Sequence, residues 1–230
     1  MECGVANKPE IILCGAGGHC RSCIDVIEQE GRFSIAGIVD KPEEDSSSNL
    51  KAQSCEKSAE IEAKAETAVL GYPIVGTDDD LPKLREKYQY ALVTVGQITS
   101  PAIRQKLFDK LLELGFELPV IISPLAYVSK HTRVEQGGIV MHHALVNAGA
   151  RVGANCIVNT KALVEHDAII GDHCHIATGA IINGGAQIGT GCFLGSGCAI
   201  KEEVALDENC LVGMGVCVRK EQFQGTRILS

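Results

Sequence analysis

From residue 126 onward the chain keeps one hydrophobic rhythm, an aliphatic side chain at every sixth position. The blocks run AYVSKH, TRVEQG, GIVMHH, ALVNAG, ARVGAN, CIVNTK, ALVEHD, AIIGDH, CHIATG, AIINGG, AQIGTG, CFLGSG, CAIKEE, VALDEN, CLVGMG and VCVRKE. The third place is Val, Ile or Leu in all sixteen, from Val128 to Val218, and the first place is always Ala, Cys, Gly, Thr or Val. An α-helix of about 3.6 residues per turn cannot hold a six-residue period on one face, whereas short strands joined by tight turns can. The period therefore predicts a β-solenoid. Three blocks per coil give a triangular prism of about five coils, in which equivalent residues stack at roughly 4.8 Å.

The first half follows a different pattern. EIILCG, residues 10–15, reads as a short buried strand. GAGGHCRSCIDVIEQEG follows as a glycine turn opening an amphipathic helix, with Ile24, Val26 and Ile27 among its apolar positions. FSIAGIVD then predicts a second strand ending at Asp40, which completes a βαβ unit. Residues 43–67 are polar and nearly free of bulky apolar side chains, so a flexible insertion is expected there. Beyond it come AVLGYPIVGTDDDLPKLREKY, the strand YALVTVG, the helix SPAIRQKLFDKLLELGF and the strand LPVIIS. Pro124 marks the expected boundary, giving an α/β first domain over 1–123 and an all-β second domain over 124–230.

Charge and cysteine content narrow the partners. With 21 basic and 29 acidic residues the net charge is −8, which argues against nucleic acid and anionic membrane surfaces. No apolar run approaches the roughly 20 residues of a membrane helix, and MECGVANKPE lacks a signal-peptide pattern, so a cytoplasmic protein is expected. The eleven cysteines are an odd number, and without an export signal that predicts reduced thiols. Five of them, Cys156, Cys174, Cys192, Cys198 and Cys210, fall in the small first place and read as core filler.

Two stretches carry candidate chemistry. The glycine turn, Gly15, Gly17, Gly18 and His19, lies at a helix N-terminus that offers backbone N–H groups to an anion. Asp40 lies near the acidic position of a dinucleotide fingerprint whose third glycine is missing. A nicotinamide site, a nucleotide-sugar site and a plain tight turn all fit these residues. Residues 162–175 gather three of the seven histidines beside Glu165, Asp167 and Asp172. A metal site, a base with its orienting acid and a polar corner without a task are the readings. His166, His173 and His175 would be spread around the prism, so no metal is expected. His142 and His143 read as a solvated surface pair, and an inward Cys174 is poorly suited to act as a nucleophile.

His166, with Glu165 and Asp167 on either side, has the makings of a general base whose tautomer a carboxylate fixes. Gly184 lies eighteen residues on, so its backbone would stack beside His166 and could donate to a developing oxyanion. Glu165 shares its own column with Asn147 and Asn183 and reads as part of a polar ladder.

The hexads resemble the hexapeptide-repeat acyltransferases. The motifs GAGGHCR, GIVD, LGYPIVGTDDDL and NTKALVEHDAIIGDHCHIATGA resemble a narrower group, the sugar O- and N-acetyltransferases that include sialic acid O-acetyltransferase and UDP-bacillosamine N-acetyltransferase. The resemblance spans nearly the whole chain. It departs in a longer insertion at 43–67 and in an end, RKEQFQGTRILS, without the Pro-rich closing segment that would meet the CoA adenine. It implies a Rossmann-like sugar-nucleotide domain joined to a left-handed parallel β-helix, acetyl-CoA as co-substrate, and a homotrimer with active sites between subunits. By the same resemblance His166 is the base, Asp167 its orienting acid, Gly184 the oxyanion donor, and Asn159 lies near the acceptor sugar. His175, half a coil from His166, would more easily join it at the acetyl-CoA site from a neighbouring subunit. The expected reaction is acetylation of a nucleotide-linked amino sugar, with O-acetylation of a sialic or related sugar acid, or a non-catalytic sugar-nucleotide scaffold, as the alternatives.

Overall fold

The computed structural model describes residues 8–41 and 68–229, so the stretch read as a flexible insertion at 43–67 lies outside the described residues. The first part is a five-stranded sheet of β1 (Glu10–Cys14), β2 (Ser34–Val39), β3 (Ala68–Val69), β4 (Tyr72–Gly76) and β5 (Tyr90–Val93), in the order β3-β4-β2-β1-β5. All neighbours are parallel except the β3–β4 pair. Around the sheet lie α1 (Gly18–Glu30), α2 (Leu81–Arg85) and α3 (Ala102–Glu113). Because β1 and β2 are buried on both faces, they read as continuous apolar runs. None of the described helices is long and apolar enough to cross a membrane.

The six-residue period becomes eighteen two-residue strands, β6 (Ile121–Ile122) through β23 (Arg227–Ile228), in parallel sheets of six, five and seven strands. Partner strands are eighteen residues apart, as in Leu163 opposite Ile181. Six coils form rather than about five, because β6 and β23 extend the solenoid beyond both ends of the regular blocks. The strand read in LPVIIS therefore belongs to the solenoid, paired with β9 (Ile139–Val140), and not to the first sheet.

Within each block the third-place aliphatics and first-place small residues fill one continuous core. Cys156, Cys174, Cys192 and Cys210 form a column whose thiols donate to the carbonyls of Gly171, Gly189, Asp207 and Phe223 at 3.1–3.2 Å. In all but the first and last blocks the sixth place turns the corner in left-handed backbone. Glycine fills many of these corners, while Asn155 (φ 52°), Asp167 (φ 59°) and His173 (φ 58°) are among the non-glycine exceptions.

The second place of each block points outward and decides what covers each face. On the seven-stranded face Ile121, Ile139 and Ile157 pack with Ile24 and Ile27 of α1, so the first domain lies on that face. Burying one such isoleucine stabilises the junction by about 1.5–3 kcal/mol. His142 pins the same junction and is not a solvated surface residue. Its Nδ1 meets Ser123 Oγ at 2.6 Å and its Nε2 meets the Asp25 carboxylate on α1 at 2.7 Å. The docked helix removes the water that the sequence reading assumed around it.

Removing this strut has a measurable cost. His142→Ala is expected to destabilise the fold by about 1–3 kcal/mol, the range for hydrogen bonds at a partly buried site. Chemical denaturation followed by circular dichroism would show it as a lower midpoint, and an unchanged midpoint would assign the junction to apolar packing alone.

Candidate functional site

The cleft opens where the carboxyl ends of β1 and β5 meet the seven-stranded face, the usual ligand position in open parallel sheets. Its volume is about 720 Å³. On one side is the turn after β1. Gly15 has φ 111°, and a Cβ there would come within 2.4 Å of Val95 Cγ2, so only glycine lets the strand end approach that loop. Gly17 caps α1 with no side-chain hydrogen bond, and a Cβ on Gly17 or Gly18 would meet nothing within 4 Å. The helix N-terminus is thus uncovered toward the cleft. Asp40, at the end of β2, lines it as well and accepts the Ala16 N–H at 3.3 Å.

The solenoid supplies the opposite wall. His175 occupies an outward second place beneath the first domain and is 8% exposed. Its Nδ1–H donates to the Gln97 carbonyl at 2.7 Å, which leaves Nε2 to accept from Asn159 Nδ2 at 3.1 Å. Burial pushes its pKa down to about 4. His19 faces it, with ring centroids 6.2 Å apart, and has its pKa lowered to about 3 by burial and then by the nearby Arg104 charge. The cleft therefore gathers Gly15, Gly17, Gly18, His19, Asp40, Asn159 and His175 from both halves of the chain, with two neutral imidazoles among them.

His166, Asp167 and Gly184 form a separate cluster at a solenoid corner. The left-handed backbone of Asp167 turns its carboxylate back onto His166, and Nδ1–H donates to Oδ2 at 3.0 Å. This bond, helped by the Asp167 and Glu165 charges and opposed only by slight desolvation, leaves the His166 pKa raised. It also fixes Nε2 as the free ring nitrogen. A Cβ built on Gly184 would lie 2.7 Å from that Nε2, so the glycine backbone is one coil away, with nothing between. Glu165 is occupied elsewhere, accepting Asn147 Nδ2 at 2.7 Å. The expected ladder stops there, because Asn183 Nδ2 donates to the Ile200 carbonyl.

Other residues of the cluster are packed into structure. His173 Nδ1 meets Asn155 Nδ2 at 3.0 Å, and its ring stands edge-on to Phe108. Cys174 is fully buried, which pushes its thiol pKa well up. Among the described residues no three His, Cys, Asp or Glu side chains converge as a metal set. Two residues escaped the sequence reading, one lining the cleft and one behind it. Gln97 follows β5 and is 3% exposed. Arg104 shares the buried stripe of α3 with Leu107, Phe108 and Leu111, a cation where a fourth apolar side chain belongs.

Residues 10–68 match the PglD N-terminal domain family. No curated protein matches the chain in sequence. Among solved structures, a His-to-Asn variant of perosamine N-acetyltransferase from Caulobacter crescentus, in complex with CoA and GDP-perosamine, is 30% identical over 96% of this chain and 93% of its own, with TM-score 0.82. The acetyltransferase domain of PglB from Neisseria gonorrhoeae, in complex with acetyl coenzyme A, is 26% identical over 97% of each chain, with TM-score 0.81. WeeI from Acinetobacter baumannii, 19% identical over 97% of each chain with TM-score 0.77, shares the fold. With a PglD-type first domain and near-complete coverage of a relative at 30% identity, the chain belongs to the sugar N-acetyltransferases of the hexapeptide-repeat family, acyltransferases built on a left-handed parallel β-helix.

Proposed function

We propose that this protein transfers the acetyl group of acetyl-CoA to the amine of a nucleotide-linked amino sugar, by direct attack of the amine on the thioester. The observation that carries the reading is the His166 corner, where Nδ1 is held by Asp167 at 3.0 Å while Nε2 faces a bare glycine backbone. The neutral ring removes the proton of the attacking amine. Asp167 then stabilises the imidazolium, a backbone N–H at Gly184 receives the oxyanion of the tetrahedral intermediate, and collapse breaks the C–S bond as the imidazolium returns its proton to the departing CoA thiolate. The relatives solved with GDP-perosamine and with acetyl coenzyme A support these two ligand classes.

Residues 1–123 hold the nucleotide sugar in this reading, with the diphosphate at the Gly15–Gly18 turn and the α1 N-terminus. Residues 124–230 carry the transfer chemistry. His166 and Asp167 have side chains 64% and 73% exposed, too wet for efficient acyl transfer by one chain alone. Next to them the six-stranded face presents the outward column Tyr127, Leu145, Leu163, Ile181, Ala199 and Cys217, none of them charged. That column supports packing against a second copy in a homotrimer, with active sites between subunits and His175 of one chain serving the His166 corner of another. Acetyl-CoA and the free thiols of all nine described cysteines suit the cytoplasm.

The decisive experiment measures CoA release from acetyl-CoA with a panel of UDP-, GDP- and dTDP-linked amino sugars. Release that requires one of these acceptors supports the reading. Release only with sialic acid would move the enzyme to O-acetylation, and no CoA binding at all would leave a sugar-nucleotide scaffold.

His166→Ala is expected to lower kcat by about 10²–10⁴, the range for loss of a general base. Because the bond from Asp167 raises the His166 pKa, kcat/KM is expected to climb with pH through a midpoint above the ordinary imidazole value of 6.5. In Asp167→Asn that limb moves to lower pH while the plateau rate falls, and a limb that stays in place would show that another group titrates. Gly184→Ala, with its methyl 2.7 Å from Nε2, is expected to reduce kcat by at least about tenfold with little change in the unfolding midpoint. Light scattering checks the assembly, where a monomeric mass in the active enzyme would remove the shared-site arrangement.

A further inference from the structure

Behind the cleft lies a charge that neither proposed cluster uses. Arg104 on α3 is 1% exposed, and no carboxylate pairs with it among the described residues. Its guanidinium instead donates to three neutral acceptors, the Val95 carbonyl at 2.6 Å, the Asn155 carbonyl at 2.5 Å and Asn155 Oδ1 at 2.9 Å. Asn155 Nδ2 returns a bond to the Arg104 carbonyl at 3.3 Å. A delocalised, weakly hydrated guanidinium tolerates such an environment better than an ammonium would. Burial lowers its pKa only to about 10, so the charge persists at neutral pH.

Position gives this charge a task. Val95 lies two residues before Gln97, whose carbonyl receives the His175 Nδ1–H, and Asn155 sits on a solenoid corner. Arg104 therefore ties helix, cleft loop and solenoid together at one point. Three buried polar atoms without partners surround the same place, His19 Nε2, Gln97 Oε1 and Arg104 Nε. Unpaired buried atoms are uncommon, and two of these three belong to residues lining the cleft.

We infer that Arg104 is a positioning residue. It fixes the loop that carries Gln97, and its charge adds to burial in holding the imidazole wall of the cleft as neutral hydrogen-bonding groups, which receive the sugar portion of the acceptor and leave the phosphates to the glycine turn. The inference rests on the proposed acetylation of a nucleotide-linked sugar and assigns the direction in which that substrate lies. Other ionisable groups face the same region. From α1 come His19, Cys20 and Cys23, and from the solenoid His173, His175, Cys156 and Cys174. Asp40, Lys41 and Asp78 line the mouth, and Asp109 on α3 faces His173. The two imidazoles accordingly depart downward from 6.5, with burial as the first cause and the Arg104 charge a further one for each.

Nuclear magnetic resonance titration of the histidine rings tests this directly in the wild-type protein. His19 and His175 are expected to stay neutral from pH 7 down to pH 5. Titration of His175 near 6.5 would overturn the inference without any variant. In Arg104→Met the two rings are expected to become easier to protonate by about one unit, and in Arg104→Lys, which keeps the charge, by less. Steady-state kinetics supply the second readout. Arg104→Met is expected to raise KM for the nucleotide sugar about tenfold, with KM for acetyl-CoA unchanged. Equal rises in both, ring titrations identical to wild type in a folded Arg104→Met, or a shift in Arg104→Lys as large as in Arg104→Met would reduce Arg104 to a fold-stabilising residue. If the wild type acetylates no amino sugar, the proposed reaction fails, while the ring titrations still decide whether Arg104 sets the charge of the cleft.

Discussion

Everything in the second half depends on parallel stacking at one fixed register, eighteen residues per coil. The second-place N–H of a short strand donates to a carbonyl of the next coil, as Leu163 does to Ala180, and each side chain finds its equivalent one strand spacing away. Two-residue strands would be negligible in isolation. Here eighteen of them share one uninterrupted core, so cooperativity along the axis replaces strand length. The same register sets Gly184 beside His166 and forces Asp167 into the left-handed corner conformation that returns its carboxylate to the ring.

The repeat was legible because its cause is local and periodic. Inward third and first places must be aliphatic and small whatever surrounds the molecule, so one sequence shows them. The corner pair could be read for the same reason, since His166 and Asp167 are neighbours in the chain and Gly184 lies one period away. What escaped was everything created by docking the first domain onto the solenoid. His142 reads as polar and exposed until α1 brings Asp25 to it, and Gln97 is an ordinary loop residue until the seven-stranded face covers it. Arg104 did leave a trace, as a cation on an apolar stripe, but its partners are backbone carbonyls that no side-chain pattern announces. LPVIIS, assigned by position to the first half, is a solenoid strand because Ile121 is needed on both sides of the junction.

The two halves also divide the electrostatic work differently. At the exposed corner a carboxylate favours the charged imidazole, which suits a group that must accept a proton and hold it briefly. In the covered cleft, burial and a guanidinium favour the neutral ring, which suits groups that bind without exchanging protons. One residue type thus serves opposite purposes within a single chain, and the difference is set by depth and by the sign of the nearest charge.

The eighteen-residue coil also restricts how such a molecule can change. Adding or removing a single block of six turns every later column onto the next face of the prism, which would carry the His166 corner away from the apolar column beside it. Only a whole coil preserves the faces, and it moves the corner along the axis by one strand spacing, roughly 4.8 Å. The separation between nucleotide cleft and acyl-transfer corner is therefore available only in discrete steps, and fitting a longer or shorter acceptor falls to the loops of the first domain.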